Sequence, residues 1–483
     1  MRKLLILTLI ALALSGCAVG PNYVRPAVDT PPAWRITDAE AKDVANTSWW
    51  GQFNDPVLDN LIHSALQENL DLQIASARVD EFAGRYGFVR ADLFPQVGAN
   101  ATAGRQQTTQ ETGNTLPPGT NLTLNNYSAT LNAGWELDVW GRIRRATEAA
   151  RAELVASEEG RRAVILSLVG AVAGSYVNLR DLDRQLEIAK ETAKTRGESL
   201  GIFQLRFESG FTSEVEYVQV KSQYEEAMAV IPAVEKAITL QENALSVLLG
   251  RNPGPIPRGK TIDQLMLPVI PAGLPSDLLT RRPDILRAEQ NLIAANARIG
   301  VAKAAYYPAI SLTGFFGVAS TDLSNLFTGP AQVWSYSAPI TMPIFTAGKI
   351  AGDVQAAEAI QRQAVAGYRQ AIQGAFREVD DSLADQARTR EQLAAQARQV
   401  QALEKYVELA QLRFDNGYTS YLEVLDAQRS LFSVQLSYTQ NQGVLFQAMI
   451  NLYKAMGGGW VTEADRLTAG ATGPGPEAPP AGK

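Results

Sequence analysis

The sequence is poor in the residues that build metal and redox sites. Its 483 residues include one Cys, one His and six Met. A single Cys excludes a disulfide framework within the chain, and one Cys with one His excludes a Cys/His metal centre. Six scattered Met form no thioether cluster for a soft metal. The formal charge is −6 with no basic run, which argues against nucleic acid as a partner. No P-loop, G-x-S-x-G or metal-ligand spacing appears, so no catalytic residue, metal or diffusible cofactor is expected. The lone His63 follows Leu61 and Ile62 and reads as packing or surface. Past the N-terminus, no stretch supplies the roughly 18 consecutive apolar residues of a membrane helix. A membrane crossing would have to use strands.

The single Cys has a context. Arg2 and Lys3 precede an apolar run from Leu4 to Leu14. That run falls short of the roughly 20 residues a bilayer needs and reads as a signal peptide over 1–16. It closes on Leu14-Ser15-Gly16-Cys17, which resembles the lipobox of bacterial lipoproteins. The resemblance implies cleavage before Cys17 and a covalent lipid on it. Ala18, not Asp, follows, which in the matching sorting rule favours the outer membrane.

The chain also repeats itself. LRFESGFTSEVEY begins at 205 and LRFDNGYTSYLEV at 412, an offset of 207. Gly250 and Gly457 stand at the same offset. Pro95 and Gly104 in VRADLFPQVGANATAG match Pro308 and Gly317 in AKAAYYPAISLTGFFG. A repeat this long means two structural units of one plan.

Within each unit the apolar spacing predicts long helices. Ile165, Leu168, Val172, Tyr176 and Leu179 start a run with coiled-coil steps that reaches Phe207, skipping Arg196. A helix from Gly141 to Glu208 is expected, about 100 Å long at about 1.5 Å per residue. Asp55-Pro56 predicts an N-cap with Pro at N1, opening one helix to about Asp92. Another is expected from Glu214 to Leu249. Gly210 and Gly417 suit the left-handed residue that ends a helix. Ser213 to Glu216 and Ser420 to Glu423 both read S-x-x-E, the capping box. Each copy is therefore the turn of a helical hairpin.

The segments after Pro95 and Pro308 alternate instead. Ala129, Leu131, Ala133, Trp135 and Leu137 fall on one strand face, and Ser128, Thr130 and Asn132 on the other. Ile310, Leu312 and Phe316 oppose Ser311 and Thr313 in the same way. Pro339 and Pro343 disturb the fourth strand, WSYSAPITMPIF. Four strands cannot close a transmembrane barrel, whose smallest members have about 8. Alternation alone fits either a soluble hairpin pair or a barrel shared by several chains.

CAVGPNYVRP (17–26), WWGQFNDPVLDNLI (49–62), RRPDILRAEQNLIAANARIGVAKAAYYPAISLTG (281–314) and LEVLDAQRSL (422–431) resemble the outer membrane factors of tripartite efflux systems, the TolC/OprM-like (NodT branch) lipoproteins. The resemblance covers nearly the whole chain. It implies an α+β membrane protein with two structural repeats per chain. It implies a homotrimer with one 12-stranded outer-membrane barrel, four strands per chain, continuous with a long periplasmic α-helical barrel. It implies a passive exit duct for drugs or other small toxic compounds, served by a periplasmic adaptor (membrane fusion protein) and an inner-membrane RND-type transporter. Metal-ion efflux and type I protein secretion use the same scaffold and remain alternatives. A structural coiled-coil lipoprotein explains the lipobox and the heptads but not the strand pairs.

On that plan the layout is a signal peptide (1–16), a lipid-anchored extended segment (17–54), periplasmic helices (55–94), a first transmembrane strand pair (95–138), and a long helix, tip turn and return helix (139–250). An inter-repeat linker (251–275) leads to the second helix (276–307), strand pair (308–346), and helix, tip and return helix (347–457), then a C-terminal segment and tail (458–483). The resemblance places adaptor contacts at the tips, Gly210, Phe211, Thr212, Ser213 and Gly417, Tyr418, Thr419, Ser420. It places the periplasmic aperture at Leu422 and Asp426, one turn apart on one helix face. Their first-half equivalents are Val215 and Gln219, so this carboxylate belongs to the second hairpin alone. Without the matched motif, Asp426 would read as an ordinary solvated residue.

Overall fold

The structure is a computed structural model describing residues 18–36, 48–109, 122–271, 273, 275–457 and 461. Cys17, most of the first strand-pair loop and the C-terminal tail lie outside the described residues. The chain divides into two compact units. One holds the residues up to Ala27, Arg78–Ser157 and Ala288–Tyr368; the other holds Val28–Ala77, Glu158–Arg287 and Arg369 onward.

In chain order the elements are α1 (Pro56–Glu68), α2 (Leu70–Ala91), β1 (Gln96–Gln107), β2 (Thr123–Leu137), α3 (Arg142–Glu208) and α4 (Glu214–Leu248). Then come α5 (Leu278–Arg281), α6 (Pro283–Ala304), β3 (Ala309–Ser320), β4 (Gln332–Ser337), β5 (Ile340–Thr341), α7 (Lys349–Asp415) and α8 (Tyr421–Ala455). Four element pairs of the repeat match in length, while the second strand of each pair does not. α3 and α7 have 67 residues each, α4 and α8 have 35, α2 and α6 have 22, and β1 and β3 have 12. Glycines with positive φ recur as pairs at the helix ends: Gly141 with Gly348, Gly210 with Gly417, Gly250 with Gly457.

One expectation needs correction. The single helix from Asp55 to about Asp92 is two helices, broken at Asn69, which is extended. Asn69 Oδ1 accepts from Leu72 N and its Nδ2 donates to Leu248 O, both at 2.9 Å. The side chain caps α2 and holds the break in place, a role Asn suits. The fourth strand is interrupted at the first of its two prolines. β4 and β5 flank Ala338-Pro339, where proline offers no N–H to the ladder.

The first unit carries the sheet. Its order is β1-β2-β3-β4, antiparallel, with β5 also on β3. The register aligns Leu131 with Phe316 and Phe316 with Trp334, and aligns Ala133 with Gly314 and Gly314 with Tyr336. One face therefore collects Val97, Leu131, Trp135, Leu312, Phe316, Trp334 and Tyr336. The other collects Asn100, Thr102, Ser128, Thr130, Asn132, Thr313, Ser335 and Ser337, with Leu124, Phe315 and Val333 the larger apolar exceptions. Every residue of β1 is exposed, and so are Leu131, Leu312, Phe316, Trp334 and Tyr336. Tryptophans fix the strand ends: Trp135 Nε1 donates to Leu93 O at 3.0 Å and Trp140 Nε1 to Pro308 O at 2.8 Å. The helices below meet through small residues, Ala149 and Ala152 against Ala294 and Ala297, which permit close approach.

The second unit has a conventional core. Trp49 stacks on Tyr453 with centroids 5.2 Å apart, and Phe53 on Phe446 at 5.6 Å. Asp55 is fully buried and does more than cap α1. It accepts from Val57 N at 2.9 Å, Tyr176 OH at 2.7 Å and Lys260 N at 3.0 Å, so the carboxylate is amply paired. α3 contains an apolar window long enough to cross a membrane, but 61% of that window is buried in the protein.

Candidate functional site: hairpin tips and the α8 stripe

Both hairpin tips lie in the second unit and end their long helix in the same way. Gly210 and Gly417 each have φ of 76°. Gly210 N donates to Phe207 O and Phe211 N to Arg206 O, at 2.9 and 2.8 Å. Gly417 N to Phe414 O and Tyr418 N to Arg413 O repeat those distances. This is the Schellman pattern, which uses the last carbonyls of the helix and requires a residue comfortable in the left-handed region.

Under the tips, Phe203, Phe414 and Tyr421 pack with Val220, Val424 and Leu425. Tyr421 lies 4.3 Å from Phe203 by centroid and 4.9 Å from Phe414. Arg206 lies over both phenylalanines. Burying each such ring contributes about 1.5–3 kcal/mol, so the turns sit on a firm base. The tip aromatics are different. Phe211 is 84% exposed and Tyr418 is 78% exposed. Neither takes part in the helix-ending hydrogen bonds through its side chain.

The side-chain caps are not alike. At the first tip, Glu216 N donates to Ser213 Oγ at 3.3 Å and Ser213 N donates to Glu216 Oε2 at 3.2 Å. The Thr212 hydroxyl also donates to that carboxylate. These bonds, Thr212's first, hold the Glu216 carboxyl below its ordinary range. At the second tip the capping box expected at Ser420 is absent: Ser420 makes no cap bond. Glu423 instead takes Arg413 Nη1 at 2.7 Å and the Thr419 hydroxyl. Arg206, the counterpart of Arg413, faces aromatic rings and leaves Glu216 free for Ser213.

Leu422 and Asp426 share the exposed face of α8. Leu422 is 57% exposed, although Tyr421, Val424 and Leu425 around it are buried. Asp426 Oδ1 accepts from Arg429 Nη2 at 2.6 Å. Sequence reasoning named the carboxylate and missed this partner. The spacing in LDAQR held the signal, since i and i+3 are neighbours on a helix. Among the described residues no group of three or more His, Cys, Asp or Glu could hold a metal ion.

A profile described as outer membrane efflux protein matches residues 61–251 and 274–458. The chain belongs to that family. It is 36% identical over 479 residues to the toluene efflux pump outer membrane protein TtgC of Pseudomonas putida, covering 98% of each chain. It is 36% identical over 456 residues to the cation efflux system protein CusC of Escherichia coli K12, covering 93% of this chain and 98% of that one. The solved open state of the Neisseria gonorrhoeae MtrE outer membrane channel superposes with a TM-score of 0.82 at 31% identity, over 92% of this chain and 99% of that one. The protein is thus an outer-membrane efflux channel with an α+β fold, and the relatives are transport proteins, not enzymes.

Proposed function

We propose that three copies of the chain close one 12-stranded barrel, and that the trimer is the passive exit duct of a tripartite pump. The sheet carries the proposal. Its two faces differ in polarity, both are exposed, and among the described residues its outer strands β1 and β4 each pair on one side only. A sheet with one apolar and one polar face suits lipid outside and water inside. Unpaired strand edges cannot stay open in hydrocarbon. Four strand positions per chain close when three chains contribute.

In this reading the long helices form the periplasmic wall. The tips Gly210 to Ser213 and Gly417 to Ser420 meet a periplasmic adaptor, with Phe211 and Tyr418 as exposed anchors, and an inner-membrane RND-type transporter loads the duct. Leu422 and Asp426 narrow the periplasmic mouth. A lipid on Cys17 adds an anchor, while the strands alone hold the barrel in the membrane. The cargo is small organic compounds; the likeness to CusC keeps cation efflux as the second reading.

Purified protein added to planar bilayers should give stable single channels, and chemical cross-linking should stop at three chains. Cross-linked monomers without conductance would overturn the proposal. In cells carrying the adaptor, a photo-cross-linker at Tyr418 should capture it. Mass spectrometry of the mature N-terminus should find acylated Cys17, and an unmodified N-terminus would remove the anchor.

A further inference from the structure

Away from the tips and the aperture pair, Asp181 on α3 is buried to 6% exposure, and its Oδ1 has no hydrogen-bond partner. It lines a groove of about 540 Å³ within the second unit, together with Ser175 and Asn178 of α3, Gln241 of α4, and Gln440 and Gln447 of α8. Gly443 of α8 faces the carboxylate: a Cβ there would stand 3.4 Å from Asp181 Cγ and Oδ2. The close approach of two helices leaves the charge beneath a shallow, open polar wall.

The amides of that wall are all turned one way. Asn178 Nδ2 donates to Gln241 Oε1 at 2.9 Å, and Gln241 Nε2 to Ser175 O at 3.0 Å. Gln440 Nε2 donates to Gln185 Oε1 at 3.3 Å, and Gln447 Nε2 to Asn451 Oδ1 at 3.1 Å. Each amide thus uses a donor on another protein group. Among the described residues, the oxygens of Asn178, Gln440 and Gln447 take no donor in these pairs, and Asp181 Oδ1 has no hydrogen-bond partner. The groove is rich in acceptors and carries one negative charge. Ala171 and Val444 add apolar surface to the same lining.

Such a wall recognises a cation with N–H donors and a carbon body. A bare metal ion needs a close shell of several oxygens at about 2.0–2.6 Å, and this groove is far roomier than one ion. We infer that the groove binds protonated primary amines, with Asp181 taking the ammonium charge and the amide oxygens taking its remaining N–H groups. An ammonium has three donors and no acceptor, the complement of this lining. Burial pushes the Asp181 carboxyl up to about 6, with Gln185 pulling the other way. No other lining residue, from α3, α4 or α8, is titratable; the charged group beside the lining is Lys454 of α8, whose side chain packs near Gly170. Binding should therefore be full near pH 8 and weaken as pH falls through about 6. The inference concerns a site separate from the aperture and needs no assumption about conduction.

The test is calorimetric titration of the full-length protein with benzylammonium chloride at pH 8. Saturable binding is expected. Asp181→Asn keeps the shape and removes the charge, and should weaken binding about tenfold or more, the scale of one charge-assisted hydrogen bond. Ala171→Phe, at an exposed position, should lose binding by filling the groove. Tetramethylammonium has the charge without N–H groups and should bind severalfold more weakly. Glu391→Gln, at an exposed carboxylate of α7 paired with Arg388, should bind as the parent does. No binding by the parent protein, unchanged binding in Asp181→Asn, or an equal loss in Glu391→Gln would each overturn the inference.

Discussion

A threonine hydroxyl donates to the glutamate at both tips, but at the first Glu216 also reaches back to Ser213 N, while at the second the equivalent Glu423 turns to Arg413. The backbones beneath them match, with glycine φ equal at 76° and the same Schellman bonds. The difference continues down each return helix. Val215 and Gln219 on α4 give way to Leu422 and Asp426 on α8, and Ser222 gives way to Arg429. The fold therefore constrains glycines and helix lengths in both copies, while the exposed side chains have diverged. Chemistry private to one copy marks where the hairpins do different work.

The largest expected effect tests that division at the proposed aperture. Leu422→Ala should raise single-channel conductance severalfold, because it removes exposed apolar bulk from the narrowed mouth. Val215→Ala, its counterpart on α4, should leave conductance as it was. Ion preference should separate the charged pair. Asp426 is held by Arg429, and both side chains are at least half exposed, so each still acts on passing ions. Arg429→Ala should shift reversal potentials toward cations, Asp426→Ala away from them, and Leu422→Ala should not move them. If the α4 and α8 variants behave alike while trimers form, the aperture lies elsewhere.

The next effect tests what the copies share. Gly210→Val and Gly417→Val place a branched side chain in the left-handed region, at a cost of about 1–2 kcal/mol each. Nothing lies within 4 Å of a Cβ at either site, so the cost is backbone strain and not a clash. Amide exchange at both turns should quicken to a similar extent. If adaptor docking uses the tips, efflux should fall as well. Unequal exchange would mean that the two turns are not the same structure.

Much of the fold is legible in the sequence. The glycine offsets carry the repeat because positive φ leaves few alternatives to glycine. Alternation within each strand separates Leu131 from Thr130 and Phe316 from Thr313, since a strand has a strict period of two; that Leu131 and Phe316 share a face follows from the strand register. Asn69 was missed because its effect depends on Leu248, 179 residues away, to which it bonds. The skipped heptad position at Arg196 is in fact buried, at 3% exposure, with its guanidinium bonded to Gln223 O and Glu226. Apolar counting cannot find a buried arginine that pairs across a hairpin. The groove at Asp181 was equally hidden, because α3, α4 and α8 supply it from distant stretches.

The smallest effect falls on the two serines, which the sequence motif makes equivalent and the structure does not. Ser213 accepts from Glu216 N, so Ser213→Ala should destabilise the start of α4 by about 1 kcal/mol. Ser420 makes no cap bond, so Ser420→Ala should change the start of α8 by only a few tenths of that. Arg413 holds the Glu423 carboxylate away from Ser420 N, and Glu423 N donates to the Ser420 carbonyl instead of its hydroxyl. Arg413→Ala should release Glu423 to close the box, and Ser420→Ala made on that background should then cost what Ser213→Ala costs. Local amide exchange in the first turns of α4 and α8 reads all four variants. Equal losses from the two serines in the parent protein would show that Glu423 caps Ser420 in solution after all, and that the Arg413 pair, with 54% of its arginine side chain exposed, is too weak to prevent it.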